Sequence, residues 1–291
     1  MKKTYLLAGT AIFVWSTIAT ISKILLGSLN SFQVLNISAI FGIIFLLIVN
    51  ICTGKIRLLK NFKLKDYVTM SLMGLTGTCI YNIFFYIGTS KMLASQAMIV
   101  NYLWPIMSVV FACILLKEKM TPRKIIAIVM SFMGVIIVTG GDILKLDTNT
   151  LLGALSCVCG AISYGLFTAL NQKYNYEKSI AIMIAYVATF FVTLVINIVT
   201  DNIFIPSFTQ TLGLAWNGMF VMAVGSTCWA LALESGKTAK ISNLAYITPF
   251  LSLVWTFFVL GEEIKLTSVL GLSVIILGIF IQLKDKKKET V

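Results

Sequence analysis

The chain has 291 residues, of which 58% are hydrophobic and only 12% are charged, and its mean hydropathy is +0.95. A soluble domain of this length could not cover so much apolar surface with so few charged side chains. The net charge of +12 could indicate nucleic-acid binding, but the basic residues lie between apolar runs. Membrane topology and anionic lipid therefore explain the charge, and no nucleic-acid partner is expected.

Ten apolar segments follow one another along the chain, each close to the roughly 20 residues that cross a hydrocarbon core. The connections between them are short, and no separate soluble domain is apparent. The sequence therefore predicts an all-α membrane protein with ten transmembrane helices. The segments span about 4–26, 32–53, 67–88, 94–116, 122–140, 150–170, 178–200, 211–233, 239–260 and 266–283.

The lysine and arginine residues predict the orientation of these helices. With the N-terminus inside, nineteen of the 23 basic residues fall in cytoplasmic stretches. Cytoplasmic loops carry such an excess, so we expect a multi-pass protein of the bacterial plasma membrane with both termini in the cytoplasm. Lys23 lies near the outer end of the first predicted span, and its stem can reach the outer interface.

Identical residues recur at a constant offset of 144 positions without a gap, which indicates an internal duplication. Each copy contains five apolar segments, and since five is odd, the copies must cross a bilayer in opposite directions. Inverted repeats of this kind are typical of secondary transporters, whose substrate site lies near the midplane. We place the repeats at residues 1–146 and 147–291. The pairs are Gly9 with Gly153, Ile18 with Ile162, Gly74 with Gly218, Tyr102 with Tyr246, Glu118 with Glu262 and Gly134 with Gly278.

Two prolines, Pro105 and Pro249, occupy the same place in the two repeats. A proline within a helix clashes with the carbonyl four residues earlier, here that of Asn101 or Ala245. In a bilayer the freed carbonyl is tolerated only where protein groups or cavity water satisfy it. An inert kink is the alternative, but the symmetric placement favours gating positions in a central pathway.

Polar and aromatic residues lie at the same depth as these prolines. Asn101 and Trp104 share a helix face, and a buried amide or indole N–H needs a partner that lipid does not supply. The alternative for each such residue is helix–helix bonding or interfacial anchoring. The predicted substrate-binding residues are Trp15, Tyr81, Asn82, Asn101, Trp104, Tyr164, Trp229 and Tyr246.

Several residue types are missing from the predicted membrane interior. No Asp or Glu lies at mid-depth in any predicted span, and histidine is absent from the chain. We find no nucleophile–base pair, no metal-ligand cluster and no phosphate-binding loop. We therefore predict neither an enzyme nor an ATP-driven pump, with no metal and no cofactor, and transport driven by the solute gradient.

Both repeats carry a "P…L-x-E" pattern, from Pro105 to Glu118 and from Pro249 to Glu262. Together with the ten segments and the inverted repeat, this pattern resembles the EamA-type members of the drug/metabolite transporter superfamily over essentially the whole chain. The resemblance implies a bundle that exports amino acids or related metabolites without ATP.

Three short strings resemble the aromatic amino-acid exporters of that superfamily more narrowly. By that resemblance, Trp104 and Tyr164 line a central cavity, although a tryptophan stands at the latter position in the exporters. The strings are Val100–Asn101–Tyr102–Leu103–Trp104–Pro105, Trp15–Ser16–Thr17 and Gly140–Gly141–Asp142.

The leading interpretation is thus a monomeric exporter of amino acids or similar metabolites, with a small-molecule solute and membrane lipid as its partners. The second is a carrier of choline, other quaternary amines or drugs, because Trp and Tyr rings can cage a cation without a carboxylate. A membrane-embedded structural or assembly protein is the third, and the polar residues at mid-depth disfavour it.

Overall fold

The computed structural model describes residues 2–139, 147–174, 176–233 and 244–283, which are predominantly helical and contain no β-strand. Seven helical stretches among them are long and apolar enough to cross a membrane, so the prediction of an all-helical membrane protein is confirmed. They coincide with the first seven predicted segments. The stretches are Lys3–Leu26, Ser31–Cys52, Leu64–Lys91, Ala94–Leu115, Pro122–Thr139, Thr148–Lys173 and Lys178–Val199.

Shorter apolar helices, Ala245–Leu260 and Leu266–Gln282, occupy the positions of the ninth and tenth predicted segments. Because they fall below the length of a standard span, the count of ten transmembrane helices stays a prediction. The repeat boundary at residues 146 and 147 also stays a prediction, and the string Gly140–Gly141–Asp142 lies outside the described residues.

The α-helices carry the following names. In chain order they are α1 (Lys2–Ser16), α2 (Ile18–Leu26), α3 (Ser31–Cys52), α4 (Leu64–Gly74), α5 (Tyr81–Lys91), α6 (Ala94–Asn101), α7 (Trp104–Leu115), α8 (Pro122–Thr139), α9 (Thr148–Lys173), α10 (Lys178–Val199), α11 (Phe208–Ala215), α12 (Gly225–Leu233), α13 (Thr248–Leu260) and α14 (Leu266–Leu283).

Polar residues set several of the helix boundaries. Asn30 and Gln33 form a reciprocal capping box that begins α3, and the Asp147 carboxylate accepts from the first amides of α9. Such caps satisfy backbone N–H groups that lack a partner within the helix. Just after the C-terminal end of α13, Gly261 adopts a φ of 68°, a left-handed conformation that glycine allows at no steric cost.

Two π-helical turns interrupt the bundle at equivalent places in the repeats. Leu75–Ile80 joins α4 to α5, and Trp216–Val224 joins α11 to α12. A shift of 144 residues places the first turn within the second. A π-turn leaves backbone groups available to side chains of other helices and is frequent at functional sites. The two π-turns therefore occupy equivalent positions in the two repeats.

Close contacts between small residues join one repeat to the other. A Cβ built on Gly74 would lie 2.2 Å from the Cβ of Ala185, and one built on Gly218 would lie 2.1 Å from the carbonyl oxygen of Ser38 and 2.9 Å from the Cβ of Phe41. The offset of 144 relates Gly74 to Gly218 and Phe41 to Ala185, so the two contacts are symmetric. Tight packing of this kind stabilises helix pairs in lipid, where the hydrophobic effect supplies little.

Glu177 connects the two repeats outside the membrane-spanning helices. Its carboxylate accepts hydrogen bonds from the Ile180 amide (2.9 Å) and the Ser179 hydroxyl (2.7 Å), and it pairs with Lys55 at 2.5 Å. Burial by itself would raise the pKa of this carboxyl, but the hydrogen bonds from Lys55, Ile180 and Ser179 together bring the pKa below its ordinary value.

This lowered pKa predicts a dependence of stability on pH. Because the folded-state pKa lies below that of the unfolded chain, the stabilisation is present above the unfolded value and is lost as the pH falls through the folded value. Glu177→Gln should therefore lower the melting temperature at about pH 7 and have little effect at about pH 3. Thermal unfolding of the purified protein at both values measures this, with the exposed Glu263→Gln as control. An equal loss at both pH values would contradict the prediction.

Candidate functional site

A cavity of about 90 Å³ lies where the two repeats meet. Side chains from both repeats form its walls, and none of them is charged. Its lining of apolar and aromatic side chains with a few polar groups is typical of small-molecule sites. The lining residues are Trp15, Ile18, Gly77, Tyr81, Asn82, Met98, Asn101, Tyr102, Trp104, Tyr164, Tyr186, Val221, Met222, Ser226 and Thr248.

The cavity follows the internal symmetry of the chain. Three pairs of lining residues are related by the 144-residue offset, namely Gly77 with Val221, Asn82 with Ser226, and Trp104 with Thr248. Each repeat thus presents the same three positions to the cavity. The residues at these positions differ in size and polarity, so the walls are not alike.

One wall is aromatic. The ring of Tyr164 lies 4.6 Å from that of Tyr81 and 5.2 Å from that of Trp104, measured between centroids. The Trp104 contact is edge-to-face, an arrangement favoured by the quadrupoles of aromatic rings. Asn101 donates from Nδ2 to the Tyr81 hydroxyl at 3.1 Å, and its buried Oδ1 has no hydrogen-bond partner among the described residues.

A second wall consists of smaller side chains, two of which carry hydroxyl groups. It includes Val221, Met222, Ser226 and Thr248. Thr248 stands at the repeat position that Trp104 occupies on the aromatic wall, so a small hydroxyl side chain replaces a large ring there. A solute with an apolar or aromatic end and a polar end would match the two walls.

The second π-turn supports this wall through its carbonyl groups. Trp15 donates from Nε1 to the Val221 carbonyl at 3.1 Å, and the Tyr186 hydroxyl donates to the Met222 carbonyl at 3.1 Å. In the first π-turn, the Ser163 hydroxyl donates to the Thr76 carbonyl at 2.6 Å. Buried backbone groups need such partners inside a membrane, and these bonds hold cavity side chains in place.

The prolines lie at helix starts rather than inside continuous helices. Pro105 and Pro249 occupy the first turns of α7 and α13, each after a short tightened turn. The Ala245 carbonyl, which Pro249 deprives of a helical partner, accepts a hydrogen bond from the Tyr102 hydroxyl. The predicted need for a partner at this carbonyl is therefore met by the other repeat.

Comparison with known proteins identifies the chain's relatives. Residues 2–140 and 151–283 match the EamA-like transporter family, and together these stretches cover nearly the whole chain. The chain belongs to the EamA-like transporter family. The resemblance derived from the repeat pattern is thus confirmed, and the relatives are named as transporters rather than enzymes.

Three named relatives share between 20% and 27% sequence identity with this chain. An uncharacterized transporter of Clostridium kluyveri is 27% identical over 99% of this chain and 95% of its own length. The aromatic amino acid exporter YddG of Ancylobacter novellus is 20% identical over 85% of each chain. A probable terminal-alkyne amino-acid exporter of Streptantibioticus cattleyicolor is 23% identical over 75% of this chain and 73% of its own. A crystal structure at 17% identity superposes over both whole chains with a TM-score of 0.71, which shows the shared fold.

Six of the eight predicted substrate-binding residues line the cavity. The other two do not: Trp229 packs behind Trp15 with ring centroids 5.4 Å apart, and Tyr246 packs against Phe280 at 5.8 Å. The role of all eight in solute binding stays a prediction. The six that line the cavity are Trp15, Tyr81, Asn82, Asn101, Trp104 and Tyr164.

Other lining residues escaped the sequence-based prediction. Tyr186 lies in a long apolar segment, and its repeat counterpart is Gly42, so the sequence carries no paired signal there. Ser226 was noted as a polar residue at mid-depth but not placed in the predicted site, and Thr248 could have been found from the repeat as the counterpart of Trp104. Tyr102 was noted only as a repeated residue, and its bond to the Ala245 carbonyl depends on how the repeats meet.

Proposed function

We propose that the protein is a secondary transporter that exports amino acids or related small amphipathic metabolites by alternating access without ATP. The uncharged, aromatic-lined cavity between the repeats carries this proposal. The two relatives named as amino-acid exporters support it. Pro105 and Pro249 are the proposed gating positions, and the proposed location is a bacterial plasma membrane with cytoplasmic termini.

The walls suggest how such a solute binds. A ring or aliphatic side chain would pack against Tyr81, Trp104 and Tyr164, and burial of apolar area supplies most of the affinity. Polar groups of the solute would bond to Asn82 and Ser226. The absence of charge among the lining residues favours a solute with no net charge, because a net charge desolvated there would find no counter-ion.

A quaternary amine such as choline is the second candidate. Faces of Trp and Tyr rings attract a cation within about 6 Å of their centroid, and Trp15, Trp104 and Tyr164 border one cavity. This candidate needs no carboxylate, which fits the lining. It differs from an amino acid in having no N–H groups to donate.

Flux measurements in proteoliposomes of the purified protein test the two candidates. The panel consists of labelled phenylalanine, tryptophan, threonine and choline, with protein-free liposomes as control. We expect saturable counterflow of the amino acids and little uphill accumulation under an imposed pH gradient. Choline flux without amino-acid flux would favour the second candidate, and strong proton-driven accumulation would contradict gradient-driven transport.

A further inference from the structure

Three half-helices separate the cavity from the predicted extracellular end of the bundle. α2 begins at Ile18, α6 ends at Asn101 and α13 begins at Thr248, and all three of these residues line the cavity. From the cavity the three helices extend in the same direction and contact one another. α2 and α6 come from the first repeat and α13 from the second. Together they cover the cavity on that side.

A carboxylate from the second repeat joins α13 to α6 at the outer ends of these helices. Glu262, just after α13, accepts hydrogen bonds from the Ala94 amide (2.7 Å), the Ser95 amide (3.0 Å) and the Ser95 hydroxyl (2.6 Å). It thereby caps the N-terminus of α6, where amides lack helical partners and the helix dipole favours a negative charge. Such charge-assisted bonds are short and strong.

Lys23 on α2 binds the turn between α5 and α6, next to the residues that Glu262 contacts. Its ammonium donates to the Thr89 carbonyl at 2.8 Å and to the Met92 carbonyl at 2.7 Å, at the C-terminal end of α5. The turn from α5 to α6 is thus held at one end by a cation and at the other by an anion. This placement explains the cation near the outer end of the first predicted span.

The repeat counterpart of Glu262 makes a different contact. Among the described residues, Glu118 pairs with Lys124 of its own repeat, with an oxygen–nitrogen distance of 3.1 Å. Of these two equivalent glutamates, only Glu262 joins the repeats, at the predicted outer end, whereas Glu177 and Lys55 join them at the predicted inner end. A contact that joins the two repeats on one side of the cavity must break if the cavity is to open on that side.

We propose that Glu262, Ser95 and Lys23 form an outer latch that holds the transporter closed to the outside, and that the latch opens when α6 separates from α13. Glu262 acts as a positioning residue, since it does not line the cavity and controls access to it through α6. The inference rests on the proposed alternating access. It goes beyond the identity of the solute, because it concerns only the residues that control one entrance.

Accessibility of the cavity from outside tests the latch. In intact cells, a membrane-impermeant maleimide is applied to a Thr248→Cys reporter, which lines the cavity, and the reporter-free parent corrects for native cysteines. Glu262→Gln keeps the shape of the side chain but removes the charge, and it should raise the labelling rate about fivefold or more. Ser95→Ala, which removes one of three hydrogen bonds, should give a smaller rise. The adjacent exposed Glu263→Gln removes the same charge and should change nothing.

Labelling of Cys157, which is fully buried in α9, separates latch opening from general loosening. The latch predicts faster labelling at residue 248 with no change at Cys157. Equal increases at both sites would overturn the proposal and make Glu262 a structural cap only. So would an unchanged rate in Glu262→Gln, or a rise seen only in inside-out vesicles. Because no solute is used, these outcomes are independent of the flux measurements that test transport.

Discussion

Replacing Trp104 by alanine is expected to weaken solute binding by about 1–3 kcal/mol, or roughly 5- to 150-fold in Kd. The side chain lines the cavity and its ring meets that of Tyr164 edge-to-face. Truncation removes apolar area from contact with the solute and also removes one of the rings that pack against Tyr164. Equilibrium binding of a labelled amino acid that shows counterflow, measured by scintillation proximity on purified protein, gives the change in Kd.

Two further variants make this measurement specific. Trp104→Phe keeps an aromatic face and should retain most of the affinity. Trp229→Ala makes the same truncation just outside the cavity lining and should have a smaller effect. If Trp104→Ala binds as the parent does while Trp229→Ala or Tyr246→Ala loses affinity, the solute lies elsewhere in the second repeat.

Replacing Gly218 by alanine is expected to lower the free energy of unfolding by about 1–3 kcal/mol or more. An added Cβ would lie 2.1 Å from the Ser38 carbonyl oxygen and 2.9 Å from the Cβ of Phe41. Backbone atoms cannot yield as a flexible side chain does, so α3 would have to move away from the second π-turn. Thermal unfolding in detergent, followed by loss of the monodisperse peak, measures the loss.

Gly9→Ala is the matched control for this substitution. Gly9 lies within α1, and a Cβ there would have nothing within 4 Å. Since alanine favours a helix over glycine by about 1 kcal/mol, this variant should be neutral or more stable. Gly74→Ala, at the repeat-equivalent contact with Ala185, should resemble Gly218→Ala. Equal stability of Gly218→Ala and Gly9→Ala would mean that the contact between repeats is looser than described.

Much of the architecture could be predicted because it depends on features that are local or repeat along the chain. Span length follows from the thickness of the bilayer and the rise of a helix. The offset of 144 residues could be found from residue identities alone, without knowledge of contacts. Pro105 and Asn101 also indicated the depth of the cavity without knowledge of contacts. The carbonyl that a proline leaves without a helical partner and a buried amide must both find hydrogen-bond partners wherever they lie.

The composition of the site was only partly predictable because it depends on which helix faces meet. Trp229 and Tyr246 have the residue types and depth of cavity residues, yet they face Trp15 and Phe280. Tyr186 lines the cavity without a signal in its apolar segment. Periodicity assigns a residue to a face of its own helix, but it does not determine the neighbour of that face.

The sequence by itself thus determined the membrane class and the 144-residue repeat, and it predicted the depth at which polar residues gather. Only the tertiary structure decided that Tyr102 satisfies the Ala245 carbonyl and that Glu262 caps α6. The partners in these contacts are 143 and 168 residues apart. Hydrogen bonds act over about 3 Å, so such pairs exist only after the repeats have packed. Their identity therefore depends on the packing of the whole bundle.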